Sequence, residues 1–267
     1  MIWTWPGEAR TLPAVDDDVR QTDATAALPA GRVDIHSHMI PGIDDGCQTL
    51  DESLRSVRTL IDHGYVATIC TPHIWPELFP ENQIEHIAMW TRSLQEQLTA
   101  HGVDYRVYPG GEVRIYPGLL DDFKSHGVPT LAGSRYVLLD YWGDAWHRSI
   151  DKTFDWLLSR EYLPILAHPE RINVHRKYEQ HIQRLLDAGV VLQGNFKCLT
   201  GEEGPLADQR VREFLDREQY TFMAMDMHRP DELPPRLDGL QMLAYEYGQD
   251  TVKRLTADNP RRLILEG

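Results

Sequence analysis

The 267-residue sequence predicts an α/β protein whose parallel strands close, or nearly close, into a barrel. Three observations predict it. Short apolar runs alternate with amphipathic helical patterns from Val33 onward, no linker-like stretch divides that region, and polar residues recur where the runs end. An open doubly wound sheet satisfies the same alternation and stands as the alternative.

Residues 1–32 read as an N-terminal extension, because TLPAVDDDVRQTDATAALPAG mixes Pro, Ala, Asp and Thr without a period. Trp3 and Trp5 offer rings that could dock on the domain. The domain itself runs from 33 to 267. Its first strand is VDIH, followed by the amphipathic stretch DESLRSVRTLIDHG. YVATICT is the second strand, and NQIEHIAMWTRSLQEQLTAHG the helix after it. YRVYPG and YVLLDY are the third and fourth strands, with HRSIDKTFDWLLSRE following. LPILAH, then YEQHIQRLLDAG, VVLQGN, LADQRVREFLDRE and FMAMDM complete seven strands. Several helical stretches end in HG or AG, where a left-handed glycine stops the helix.

Composition removes several function classes. Lys plus Arg number 27 against 41 Asp plus Glu, a formal charge of −14, and such a surface repels nucleic-acid backbones. No apolar stretch approaches the ~20 residues that span a bilayer, and MIWTWPGEAR has no secretory-signal pattern, so no membrane insertion is expected. Cys47, Cys70 and Cys198 are scattered without CxxC spacing, which fits a reducing, cytoplasmic setting and offers no convincing nucleophile.

The polar residues at strand ends carry the chemistry. His36 and His38 end the first strand, His73 follows the second, and Glu112 follows the third. Asp140 ends the fourth and His168 the fifth, while Asp226 and His228 end the last. Residues at i and i+2 of a strand point the same way, so His36/His38 and Asp226/His228 each aim two groups at one region. Taken singly, each has a plain structural reading except Asp226 and His228, which an apolar strand would bury at a cost if unpaired. Asp44 and Asp45 suit a glycine-flanked turn, His73 a loop, Glu112 the surface, Asp140 a helix cap and His168 the core. Their coincidence at successive strand ends of one frame favours a site. Imidazole and carboxylate suit Zn, Mn or Fe, and no thiolate joins them. His63, His86, His101, His126, His147, His175 and His181 sit in helical or polar contexts and read as surface residues.

The segments DIHSHMIPGIDDG, TICTPH, GGEVRIYP, YVLLDY, PILAHPER, LQGN, MDMH and NPRRLIL run from about Val33 to Leu265. In that order they resemble the PHP (polymerase and histidinol phosphatase) superfamily. More narrowly, the chain resembles the manganese-dependent protein-tyrosine phosphatases of bacterial capsule and exopolysaccharide operons. The resemblance implies a distorted seven-stranded, TIM-like β/α barrel with three divalent metal ions, manganese first and iron or zinc as alternatives. It implies one metal on His36, His38, Glu112 and Asp226. A second shares Glu112 and takes Asp140 and His168, and a third takes Asp45, His73 and His228. It also implies catalytic roles for Asp45, His228 and Arg171, with Arg171 on the substrate phosphate and Arg229 or Arg236 as a second cation. The implied activity is in-line attack on phosphotyrosine of a protein, with a bacterial tyrosine kinase as partner. A small-molecule phosphomonoesterase, acting on histidinol phosphate or a sugar phosphate, is the alternative, as is a non-catalytic metal-binding regulator. Three features depart from the family pattern: Asp140 stands where Glu is usual, Met225 replaces a small polar residue, and neither Arg229 nor Arg236 aligns cleanly with the family's second arginine. The 32-residue leader is extra as well.

Overall fold

The computed structural model describes residues 28–174 and 177–265. Trp3, Trp5, most of the extension and His175 lie outside the described residues. Each of the seven expected strands forms. The strands are β1 (Arg32–Ser37), β2 (Tyr65–Cys70), β3 (His73–Ile74), β4 (Arg106–Pro109), β5 (Glu112–Arg114), β6 (Tyr136–Asp140), β7 (Leu163–Ala167), β8 (Val191–Asn195) and β9 (Tyr220–Ala224). All described pairings are parallel, in a three-stranded sheet β1-β2-β4 and a six-stranded sheet β3-β5-β6-β7-β8-β9.

Nine segments rather than seven arise from two interruptions at one level. Pro72 lacks an N–H for the ladder, and Gly110 and Gly111 break the neighbouring strand. The register stays in step across the gap, with Cys70 opposite Pro109 and His73 opposite Glu112. The Glu112 N–H donates to the Pro72 carbonyl at 3.1 Å within it. At the other side of β1, Ser37 bridges Met227 in parallel, and the Asp226 N–H donates to the His36 carbonyl at 2.7 Å.

The helices are α1 (Leu50–Asp62), α2 (Ile84–Ala100), α3 (Leu119–His126), α4 (Arg148–Leu158), α5 (Tyr178–Ala188), α6 (Pro205–Asp216), α7 (Leu233–Lys253) and α8 (Asn259–Leu265). α1, α2, α4, α5 and α6 are the amphipathic stretches of the sequence, and Gly64, Gly102 and Gly189 follow α1, α2 and α5 at positive φ, as expected. No helix among the described residues is long and apolar enough to cross a membrane.

Strand faces divide the core. Val137 and Leu139 on β6, with Leu166 and Leu192, share one apolar cluster with Val57, Phe154, Leu185 and Val211 of α1, α4, α5 and α6. Leu138, one residue out of phase, joins Ile35, Ile69, Ile165 and Phe222 in a second apolar layer. Asp140 lies two beyond Leu138, and Asp226 four beyond Phe222, so the alternation that buries this layer carries polar groups at its C-terminal edge. Burial of apolar side chains on both faces is the main stabilising term, about 25 cal/mol per Å².

α7 lies close against the turn Phe196–Thr200 that follows β8, and Gly239 makes the approach. A Cβ at Gly239 would stand 2.0 Å from the Phe196 carbonyl oxygen. Because the obstacle is backbone, the helix would have to move. Gly239→Ala is therefore expected to destabilise the protein by about 3 kcal/mol or more, read as a lower urea midpoint at unchanged slope. A midpoint within error of the wild type would mean that this contact opens in solution.

Candidate metal centre

The turn after β1 is built by Asp44. Its Oδ1 accepts the Gly46 N–H at 2.9 Å, and its Oδ2 lies 2.8 Å from His38 Nδ1 and accepts the His73 N–H at 3.1 Å. Gln48 Nε2 donates to the carbonyls of Asp44 and Gly46, while the Thr49 side chain caps α1 just beyond. Opposite, His36 Nδ1 lies 2.8 Å from Gln193 Oε1 on β8. Each ring thus has one nitrogen committed and the other, Nε2, turned inward. A register shift in β1 between Asp34 and Ser37 re-aims the side chains there. Buried Asp34 supports it, accepting from the Met225 N–H at 3.0 Å and from Ser37 Oγ.

Glu112 occupies the middle. Its Oε1 lies 2.9 Å from His168 Nε2 and 3.4 Å from His36 Nε2, whereas its Oε2 lies 2.8 Å from His73 Nδ1 and 3.4 Å from His38 Nε2. Asp226 is divided in the same manner. Its Oδ2 accepts from Asn195 Nδ2 at 2.6 Å and from Arg171 Nη1 at 2.9 Å, leaving Oδ1 to face His36 at 3.5 Å and His38 at 3.6 Å. At the open side Asp45 Oδ1 lies 3.4 Å from His73 Nε2 and 3.5 Å from His228 Nε2. The backbone is strained at two of these positions, His168 at φ 29° and Asp226 at φ 46°.

The residues the sequence placed at strand ends therefore meet. Three groups of ligand atoms each fall within 4.8 Å of one another: His36, Glu112 and His168; His36, His38 and Asp226; and His38, Asp45, His73 and His228. Asp140 stands apart from all three, its Oδ1 3.8 Å from His168 Nδ1, where the shorter side chain falls short of a glutamate's reach. Of the two arginines considered as a second cation, Arg229 is exposed just after His228. Arg236 is instead buried and donates to the carbonyls of Met225 and Asp226, so it braces the strained backbone.

Electrostatics follow from burial and crowding. Burial disfavours charge on every group here, but neighbouring imidazoles hold Glu112 and Asp226 well below the usual carboxylate range. Asp45 is lowered to about 2, its burial outweighed by His73 and His228. Asp140 moves the other way, to about 6, through burial and the nearby Glu112 charge. Burial also lowers His228, and the charge of His38 adds to it.

A test for a resident cation lies in the polar atoms themselves. His36 Nε2, His38 Nε2 and Asp140 Oδ1 are buried without a hydrogen-bond partner, and Glu112 Oε2 has only its ion-pair contact with His73. Leaving one such atom unmade costs about 1–3 kcal/mol, and all four line the same centre. Their chemistry, imidazole nitrogen and carboxylate oxygen, fits a divalent ion. The sequence reading missed Gln193, Asn195 and the orienting role of Asp44. Amide side chains inside the otherwise apolar VLQGN were the available signal.

Parallel strands that end in inward-facing imidazoles and carboxylates, with unpaired ligand atoms at their centre, define a metal-binding α/β protein. Sequence comparison then gives its kinship: the chain belongs to the capsular polysaccharide synthesis CpsB/CapC family, whose model matches residues 32–265. It is 28% identical over 242 residues to the tyrosine-protein phosphatase CpsB of Streptococcus pneumoniae, covering 88% of this chain and 98% of that one. It is 25% identical over 225 residues to the tyrosine-protein phosphatase YwqE of Bacillus subtilis, covering 84% and 88%. A solved structure from work on Bacillus subtilis YwqE and Streptococcus pneumoniae CpsB, metal-dependent tyrosine phosphatases, superposes with a TM-score of 0.78. It covers 88% of this chain and 94% of that one, at 24% identity.

Proposed function

We propose that this chain is a metal-dependent phosphatase that hydrolyses phosphotyrosine on a protein. The supporting observation is the set of buried ligand atoms without hydrogen-bond partners on His36, His38 and Asp140, gathered around Glu112. The names of the relatives CpsB and YwqE, both tyrosine-protein phosphatases, point to the same chemistry. In this reading, residues 33–267 form the catalytic domain and residues 1–32 an extension. β2 with β3, and β4 with β5, are each one interrupted stave, so the sheets form a distorted seven-stave barrel that the Ser37–Met227 bridge draws together.

Three divalent ions, manganese first, are assigned to His36, His38, Glu112 and Asp226; to Glu112, Asp140 and His168; and to Asp45, His73 and His228. When bound, they supply Lewis acidity and a source of hydroxide at neutral pH. The chain's own groups do the remainder. Gln193 and Asp44 hold the His36 and His38 rings, while Asn195 and Arg171 hold Asp226. Arg171 keeps its guanidinium at the edge of the centre, where it can take phosphoryl oxygens and offset the charge that builds on them. Asp45 and His228, at the open side, are assigned catalytic roles beside the third ion. Arg229, exposed beside them, offers a second cation. A tyrosine leaving group has a pKa of about 10, so it departs with less protonation than an alkyl alcohol requires. A cytoplasmic tyrosine kinase of the polysaccharide machinery is the proposed partner.

The test is turnover. Full-length protein with Mn2+ is expected to hydrolyse a phosphotyrosine peptide faster than histidinol phosphate. Iodoacetamide should leave the rate unchanged, because Cys47, Cys70 and Cys198 are buried, and burial pushes their thiols up, Cys47 to about 11. Preference for histidinol phosphate would favour the small-molecule phosphatase. Inactivity on every phosphoester would favour a regulator, a reading that the stand-off position of Asp140 also suits.

A further inference from the structure

Beside the cluster the surface opens into a cavity of about 520 Å³. Asp140 and His168 form its buried wall with half-buried Arg171 beside them, and Trp142, Pro205 and Leu206 its exposed rim. Whatever binds with a phosphoryl group at Arg171 has this space for the rest of the molecule. Its volume lies in the range of small-ligand sites, about 300–1,000 Å³.

Trp142 is 60% exposed, and the chain on either side of it is pinned. Before it, Tyr141 is buried and its hydroxyl donates to the Ala145 carbonyl. After it, Gly143 lies so close to the Tyr141 ring that a Cβ would stand 2.3 Å from the hydroxyl oxygen. Further on, Trp146 donates from Nε1 to Asp151 Oδ1 at 3.1 Å and stacks on the His181 ring at 4.7 Å between centroids. These anchors hold the loop while leaving an indole in water at the edge of the cavity. A fold that buries Tyr141 and half-buries Trp146 yet presents the large ring between them offers an aromatic face where a ligand's apolar body would lie.

We propose that this cavity is the leaving-group subsite, and that Trp142 stacks on the aryl ring of the phosphorylated side chain. The proposal rests on the phosphatase reading above and deepens it, because the indole then distinguishes aryl from alkyl phosphates. The preference arises from ring stacking: an offset aromatic pair gains what a serine or threonine side chain cannot. Leu206 adds apolar surface to the same cavity.

The experiment compares wild type, Trp142→Ala and Trp142→Phe as full-length, Mn2+-loaded proteins whose thermal midpoints agree. One phosphotyrosine peptide and its phosphoserine counterpart are the substrates. Trp142→Ala is expected to cut the ratio of aryl to alkyl kcat/KM about ten-fold, chiefly through KM for the aryl peptide. Trp142→Phe should restore most of the ratio. Calorimetric affinity for the phosphotyrosine peptide, relative to inorganic phosphate, should fall in parallel. Equal losses on both peptides, or an unchanged ratio and affinity, would overturn the subsite. Should the wild type turn over neither peptide, the phosphatase reading fails, and the calorimetric comparison still decides whether Trp142 holds an aryl phosphate.

Discussion

Glu112→Gln is expected to lower kcat/KM for a phosphotyrosine peptide by about 10³-fold or more while the protein stays folded. The reason is the residue's division between two sets of rings. One carboxylate oxygen faces His168 and His36, and the other faces His73 and His38. Glutamine preserves the shape but replaces an anionic oxygen with an NH2 donor directed at inward-facing imidazole nitrogens. One half of the cluster then loses its shared anion, and several kcal/mol of charge stabilisation goes with it. Groups that only orient the rings should matter less. Asp44→Asn and Gln193→Ala are expected to cost about 10- to 100-fold, because the rings lose a fixed tautomer but keep their place. Steady-state kinetics beside circular dichroism and a thermal scan would check the series. A Glu112→Gln protein within ten-fold of wild type would remove this cluster from the reaction.

That ordering separates what a single sequence discloses from what it hides. His36/His38 and Asp226/His228 were legible because the i, i+2 spacing is local and strand periodicity converts it into direction. The helical stretches were legible for the same reason, with glycine stops at Gly64, Gly102 and Gly189. Gln193 is different. It acts on His36 from 157 residues away, and an amide inside the apolar VLQGN signals a buried partner without saying which ring it orients. Arg236 reads as a candidate phosphate ligand until the fold buries it against the Met225 and Asp226 carbonyls. Strand continuity was likewise hidden: the second and third strands read as ending at YVATICT and YRVYPG, and their continuation as β3 and β5 beyond Pro72 and Gly110–Gly111 went unnamed. α3, α7 and α8 also went unnamed. α7 includes Pro234 and Pro235 in its first turn and a non-helical Gly248, which blur its period.

Asp140 shows the same limit at the level of chemistry. Its placement at a strand end was readable, and its shorter reach was a stated departure from the family. The outcome, a carboxylate left outside each close group of ligand atoms and raised to about 6 by burial and Glu112, depends on the surrounding geometry. Extending it by one methylene, as Asp140→Glu, would bring an oxygen nearer His168 and Glu112.

Removing divalent ions is expected to lower the thermal midpoint by about 5–15 °C, and added Mn2+ should restore it. The centre gathers carboxylates and crowded imidazoles, with the His38 and His228 rings 4.0 Å apart between centroids. A cation that binds the folded chain stabilises it by about 2.7 kcal/mol at 100 times its dissociation constant, and by about 4.1 kcal/mol at 1,000 times. For a chain of this size each kcal/mol corresponds to about 2–4 °C. The dependence on pH has a definite sign. Burial opposes charge on His73, but Glu112 and Asp45 outweigh it and keep that ring protonated up to about 10. In the ion-free protein this raised pKa contributes stability that is fully present below the unfolded value near 6.5 and is lost as pH rises through about 10. Metal binding must displace that proton, so affinity for Mn2+ weakens as pH falls. The midpoint difference between loaded and stripped protein should therefore widen from about pH 6 to about pH 8. Scanning calorimetry over a series of free Mn2+ concentrations would record it, with Glu112→Gln showing a smaller response. A midpoint indifferent to chelator and Mn2+ at both pH values would mean that the unpaired ligand atoms serve no cation.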